Sequence, residues 1–268
     1  MIEVDGRTVH VERRGAGEPL LLIVGLSHHT AHWGTEFLDA LARDFEVITM
    51  DNRGTGRSAR ADGRFTLPEL AGDVAGVLAV LEIDTAHVLG VSMGGMIAQE
   101  LALEHPELVR TLTLGCTLFG GERAVRTAPE IIESISEAVM SGDRERAVVN
   151  GFEVSLSEAH RADPTNFERF KAVTLDRPVS VSVLLMQLEA IEAFDAADRL
   201  ASLDVPTLVI HGTEDHLIDV RNGELVAEAI PGARLEILDG IGHLFFWEEP
   251  ERSAALVREH ALGTRAPQ

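Results

Sequence analysis

The run Gly90-Val91-Ser92-Met93-Gly94-Gly95 constrains the fold of this chain more than any other segment. An apolar block, His87 to Val91, precedes it and reads as a buried strand. Met93 to His105 follows with helical periodicity and no breaker after Gly95. Only a turn centred on Ser92 fits between them. With glycines two residues to either side, the turn has the form G-x-S-x-G, which projects a serine hydroxyl above the edge of a sheet. The glycines have a steric purpose. Side chains at 90 and 94 would collide with the neighbouring strand and helix, and the serine between them must take a strained backbone conformation.

The rest of the chain supplies the sheet that such a turn requires. Asp5-Gly6 separates two short alternating runs and predicts a hairpin. Leu20 to Val24, Phe45 to Met50, His87 to Val91 and Thr111 to Thr117 are continuous apolar blocks, so they read as strands buried on both faces. Helices fall between them: Trp33, Phe37, Leu38 and Leu41 share one face, and Thr66-Leu67-Pro68-Glu69 is a capping box ahead of a stripe through Leu70, Val74 and Leu78. From 118 to 194 there are helical stripes but no convincing strand. The strand–helix alternation resumes at Pro206 to Ile210, continues through a helix around Val220 to Ile230, and reaches Arg234 to Leu238 and a last helix over Pro250 to Ala261. The tail Gly263 to Gln268 reads as frayed. The expectation is an α/β fold with a mostly parallel, eight-stranded sheet covered by helices on both faces. Its core spans 1–117 and 195–268, and 118–194 forms an inserted helical cap.

Composition narrows the partners. The 268 residues hold 44 acidic and 23 basic side chains, a formal charge of −21. So negative a surface should repel nucleic acid and anionic membranes. Cys116 is the only cysteine, so no intrachain disulfide can form, and its place at the end of an apolar strand marks it as a small buried hydrophobe. The first residues carry no basic-then-apolar pattern, and no apolar run reaches the ~18 residues of a membrane span, so a cytoplasmic protein is expected.

A serine hydroxyl is a poor nucleophile at neutral pH; it needs a base, and the base needs a third group to orient it. In a sheet of this kind the acid and then the histidine come from loops after later strands. The strand Thr207 to Ile210 leads into His211-Gly212-Thr213-Glu214-Asp215-His216. Leu235 to Leu238 leads into Asp239-Gly240-Ile241-Gly242-His243. Asp215 is the candidate acid and His243 the candidate base. Glu214 is a weaker substitute, out of phase in the turn.

These marks, with the loop Asp51-Asn52-Arg53-Gly54-Thr55-Gly56-Arg57-Ser58 and Glu249-Pro250 beyond the histidine, resemble the serine-nucleophile, esterase- or lactonase-like members of the α/β-hydrolase superfamily over nearly the whole chain. The resemblance implies that Ser92 attacks, His243 relays the proton, and Asp215 fixes the histidine tautomer and stabilises the imidazolium. It also implies an oxyanion hole from the backbone N–H groups of Met93 and Leu26. The loop holding Leu26 departs from the family: Val24-Gly25 stands where His-Gly is common.

Other patterns carry less. His28, His29 and His32 lack a carboxylate or fourth ligand in register, so no metal is expected there and they read as solvated or pocket-lining. Gly54 to Ala59 matches a dinucleotide fingerprint, but no helix starts behind it, and no cofactor is implied. Phe245, Phe246 and Trp247 read as helix packing. A serine at position 92 and the absence of tyrosine argue against the dehalogenase and epoxide hydrolase chemistries of this superfamily. The function expected is hydrolysis of a small-to-medium carboxylic ester or lactone through an acyl-enzyme intermediate. Phe119, Phe152, Phe167, Phe170, Leu184 and Met186 are expected to make the substrate pocket apolar. A carbon–carbon bond hydrolase or a cofactor-free perhydrolase would use the same triad. A ligand-binding receptor with a vestigial triad is the non-enzymatic alternative, and a homodimer is compatible with the sequence.

Overall fold

Asp5 and Gly6, at φ 48° and 76°, turn the chain between β1 (Ile2–Val4) and β2 (Arg7–Val9), the expected hairpin. The structure, a computed structural model, describes residues 1–263; the expectation for the tail beyond Gly263 falls outside those residues. Seven further strands form one sheet: β3 (Val11–Gly15), β4 (Glu18–Ile23), β5 (Phe45–Met50), β6 (Ala86–Val91), β7 (Val109–Gly115), β8 (Thr207–Gly212) and β9 (Arg234–Leu238). Their order is β3-β5-β4-β6-β7-β8-β9, and every pairing except β3 with β5 is parallel.

The central sheet therefore has seven strands among the described residues, where eight were expected. The hairpin is a separate two-stranded sheet. At His10, between β2 and β3, the backbone N–H donates to Ser58 Oγ and the C=O accepts from Asp51 N. The hairpin instead lies on α2 (Leu67–Val80), where a Cβ at Gly76 would come within 2.3 Å of Val4.

Two-residue alternation sorts the strand side chains into two cores. Leu21 and Ile23 of β4, Val88 of β6 and Val209 of β8 face one side of the sheet, against α2, α3 (Met93–Glu104) and α9 (Val220–Ala229). Leu20 and Leu22, Leu89, and Leu208 and Ile210 face the other, with α1 (Thr35–Leu41) and the helix Pro250–Gly263. Local signals place the helix starts. Thr66 and Glu69 form the expected capping box of α2, and Gly34, at φ 72°, separates α1 from the turn Thr30–Trp33.

Between β7 and β8 the chain makes five helices and no strand of the central sheet: α4 (Pro129–Met140), α5 (Arg144–Ser155), α6 (Glu158–Arg161), α7 (Pro164–Asp176) and α8 (Val181–Glu192). After β9 come α10 (Phe245–Glu248) and α11 (Pro250–Gly263). Phe152, Phe167 and Phe170 of the helical block pack on one another and on Trp247 of α10. Phe152 and Phe170 are buried and join the core cluster that also holds Trp33, Phe37 and Trp247. No helix among the described residues is long and apolar enough to cross a membrane.

Candidate active site

Parallel strands bring the loops after β4, β6, β8 and β9 to one edge of the sheet, and all five predicted site residues sit there. Ser92 caps β6 at φ 59°, ψ −126°, a conformation that costs a side-chain-bearing residue roughly 1–3 kcal/mol. Hydrogen bonds hold it in place: its N–H donates to Gly115 O (2.9 Å), and its C=O accepts from Thr117 Oγ1 (2.8 Å) and from the amides of Gly95 and Met96. The flanking glycines are required sterically. A Cβ at Gly90 would lie 2.2 Å from Gly94 O on α3, and one at Gly94 would lie 2.0 Å from Ile23 O on β4.

Asp215 and His243 meet directly. His243 Nδ1 and Asp215 Oδ2 are 2.7 Å apart, and both side chains are buried. Asp215 Oδ1 accepts from the amides of Leu217 and Ile218, each at 2.9 Å. Burial works to raise the Asp215 pKa, but the His243 charge and hydrogen bonds from His211 and His243 outweigh it and hold the carboxyl below its usual range. Among the described residues Ser92 Oγ makes no hydrogen bond, so the structure joins acid to base but not base to serine. Such contacts are often long before substrate binds.

The loop after β4 runs against the serine. A Cβ at Gly25 would come within 3.1 Å of Ser92 Cβ and 3.6 Å of its Oγ, so any larger residue would crowd the serine by a few tenths of an ångström. Although Val24 replaces the family's histidine, the loop is well anchored. Asn52 Nδ2 donates to Val24 O (3.2 Å), His28 N to Gly25 O (3.3 Å) and Thr30 N to Asp51 Oδ1 (2.7 Å). Ser27, at φ 59°, donates its N–H to Gln187 Oε1 of α8 at 2.9 Å.

Several residues at this edge gave no clear signal in the sequence. His211 Nε2 lies 3.2 Å from Asp215 Oδ2 and 2.8 Å from Ile218 O, so a second histidine backs the acid. Cys116, at φ 42°, is buried beside it, and burial, then the Asp215 charge, push its thiol pKa well up. Donor atoms of Cys116, His211 and Asp215 lie within 4.8 Å of one another. Asp215 Oδ2 is engaged by His243 Nδ1, and His211 Nε2 lies against Ile218 O. Glu248 of α10 accepts from Gly242 N (3.0 Å) and Ser157 N (2.9 Å) through Oε1, and from Ser157 Oγ through Oε2. Glu214 accepts from the Glu158 amide and so is tied to the helical block, not to His243.

In the histidine-rich loop His29 and His32 are buried and His28 is half-buried. His28 stacks on His32 with centroids 4.2 Å apart, and His29 meets His32 edge-on at 4.4 Å. His32 Nδ1 lies 3.1 Å from the His29 amide nitrogen and 3.3 Å from the His29 carbonyl oxygen. Burial, then the nearby His243 and His29, lower the His28 pKa to about 3. Burial likewise lowers His29 and His32. The Gly54–Ala59 segment is a loop, with the next helix starting at Leu67. Phe245, Phe246 and Trp247 are packed in the core as expected.

The α/β hydrolase fold family profile matches residues 18–250. The protein named "Putative carbamate hydrolase RutD" from Azorhizobium caulinodans is 32% identical over 245 residues, 91% of each chain. The solved structure of Est816, described as an N-acyl homoserine lactone degrading enzyme, superposes with a TM-score of 0.79 at 30% identity, covering 96% of this chain and 98% of the other. The enol-lactonase from Burkholderia xenovorans LB400 gives 0.84 at 26% identity, covering 97% and 98%. The chain belongs to the α/β-hydrolase family. It is a hydrolase, similar to esterases and lactonases of that family.

Proposed function

We propose that the protein cleaves a small-to-medium carboxylic ester or lactone through an acyl-enzyme, with Ser92, His243 and Asp215 as the triad. The observation that carries this reading is the buried 2.7 Å contact between His243 Nδ1 and Asp215 Oδ2, on the same sheet edge as a serine held at positive φ. That contact orients the imidazole so that its Nε2 is free to act as a base.

In the acylation step the Ser92 Oγ–H proton passes to His243 Nε2 as Oγ bonds to the scissile carbonyl carbon, whose oxygen becomes an oxyanion. The N–H groups of Leu26 and Met93 donate hydrogen bonds to that oxyanion; one such donor is worth ~3–4 kcal/mol. Collapse breaks the carbon–oxygen bond, and the leaving alkoxide takes the proton from His243. Water then repeats the sequence on the acyl-enzyme and releases the acid. A depressed Asp215 stays ionised throughout and steadies the imidazolium. The block 118–194 serves as the cap over this edge. Its bonds to the Asp215 and His243 loops and to Ser27 support that role.

The activities in the names of the similar proteins, "Putative carbamate hydrolase RutD", an N-acyl homoserine lactone degrading enzyme and an enol-lactonase, share attack on a carbonyl carbon and fit this chemistry. The test is hydrolysis of p-nitrophenyl acetate and butyrate by the wild type and Ser92→Ala. The variant is expected to lose at least about a thousandfold in kcat with an unchanged melting temperature. Wild-type turnover in Ser92→Ala would overturn the assignment.

A further inference from the structure

We infer that Gln187 is a specificity-determining residue whose side-chain NH2 donates a hydrogen bond to a second polar oxygen of the substrate, close to the scissile carbonyl. The inference rests on the ester or lactone reading above and adds a substrate class: acyl groups or lactones bearing a neighbouring carbonyl or amide oxygen.

Gln187 lies on α8 and is completely buried. Its carboxamide orientation is fixed chemically. The Ser27 N–H, 2.9 Å away, can be met only by the carbonyl oxygen, so the NH2 must face elsewhere. That Nε2 is buried and has no hydrogen-bond partner among the described residues. A buried donor left unmet is costly, so its place calls for an explanation. The place of the amide suggests what it serves. Ser27 directly follows Leu26, the proposed oxyanion donor, and Gly25, one residue earlier, lies against Ser92. The carboxamide therefore touches the loop that carries the proposed oxyanion donor and reaches it from α8. Val183 of the same helix packs against the Gly54 loop, where a Cβ would lie 2.8 Å away, and this fixes the helix there. The side chain thus has two functions. Its oxygen braces the loop, and its nitrogen reads the substrate.

Two variants separate the functions. Gln187→Glu keeps an oxygen for Ser27 N–H and removes the donor; Gln187→Met removes both. Rates of acid release are measured for two matched pairs: methyl 3-oxobutanoate against methyl butanoate, and α-acetamido-γ-butyrolactone against γ-butyrolactone. In at least one pair both variants should lower the ratio of kcat/KM, oxygen-bearing over plain, by about tenfold relative to the wild type. Ratios that do not move in either pair, whatever happens to the absolute rates, would leave Gln187 as a loop brace and overturn the inference. Ser92→Ala, run on methyl butanoate and γ-butyrolactone, keeps the two readings apart. If it hydrolyses them as well as the wild type, the proposed function fails; if it does not and the ratios stay fixed, only the Gln187 inference fails.

Discussion

The glycines near Ser92 differ in what surrounds them, and so in what replacing each should do. A Cβ at Gly94 would meet backbone atoms, Ile23 O at 2.0 Å and Val24 O at 2.7 Å, which cannot move without separating α3 from β4. Gly94→Ala should lose about 3 kcal/mol of stability, the upper end of what overpacked cores cost, seen as a large fall in denaturation midpoint. At Gly25 the nearest atoms are Ser92 Cβ at 3.1 Å and Val91 O at 3.2 Å, a crowding of a few tenths of an ångström. Gly25→Ala should melt within a few degrees of the wild type yet lose roughly a hundredfold in kcat, because a small displacement of a nucleophile has that effect. Equal loss of stability in both variants would contradict the contrast. Residue identity alone announced the elbow, since G-x-S-x-G can be read without coordinates. The importance of Gln187 and His211 could not be read, because their partners are 160 residues away (Ser27 to Gln187) or lie on a turn whose path only the fold decides.

The segment between α5 and α7 couples the helical block to the loops that carry the acid and the base. Leu244 N donates to Ser155 O, Ser157 and Gly242 share the Glu248 carboxylate, and Glu158 N donates to Glu214. Glu248→Ala would strand two backbone donors, at about 1–3 kcal/mol each. It should lower both melting temperature and kcat, because the Gly242 amide adjoins His243. Glu248→Gln offers the same oxygen to both amides and should recover most of each; thermal melts and single-turnover rates on the two variants check this. A failure of glutamine to rescue would mean that the charge, not the acceptor, is needed. Strands were legible because burial on both faces leaves long apolar blocks, and the Thr66 cap because its signal is local. The hairpin was legible as a turn but not in its placement: the detour at His10 depends on Ser58 and Asp51, far along the chain. The aromatic residues of the block were legible as apolar, but not their packing on Trp247 of α10, which lies far along the chain.

Protonation links the site to the stability of the whole molecule. His28, His29 and His32 all have folded pKa values below the usual 6.5. The unfolded chain therefore takes up protons first as pH falls through about 6.5, and stability declines with it until the folded groups also titrate, about 3 for His28. Asp215 acts in the same sense at lower pH: its depressed pKa stabilises the fold above the unfolded carboxylate range, and that contribution is lost in strong acid. The melting temperature should fall between about pH 7.5 and about pH 5, and His32→Gln should flatten that slope relative to the wild type. Parallel slopes would take the histidine loop out of the account. The same corner gives the molecule an intrinsic optical label. Its only two tryptophans, in a chain without tyrosine, are Trp33, directly after the histidine loop, and Trp247, whose indole N–H donates to His32 O. Both rings are buried, Trp33 against Phe246 and Trp247 against Phe170. Ultraviolet emission from the native protein therefore originates almost wholly beside the loop that flanks Ser92, so a change of colour or intensity on adding substrate reports on that corner without any attached dye.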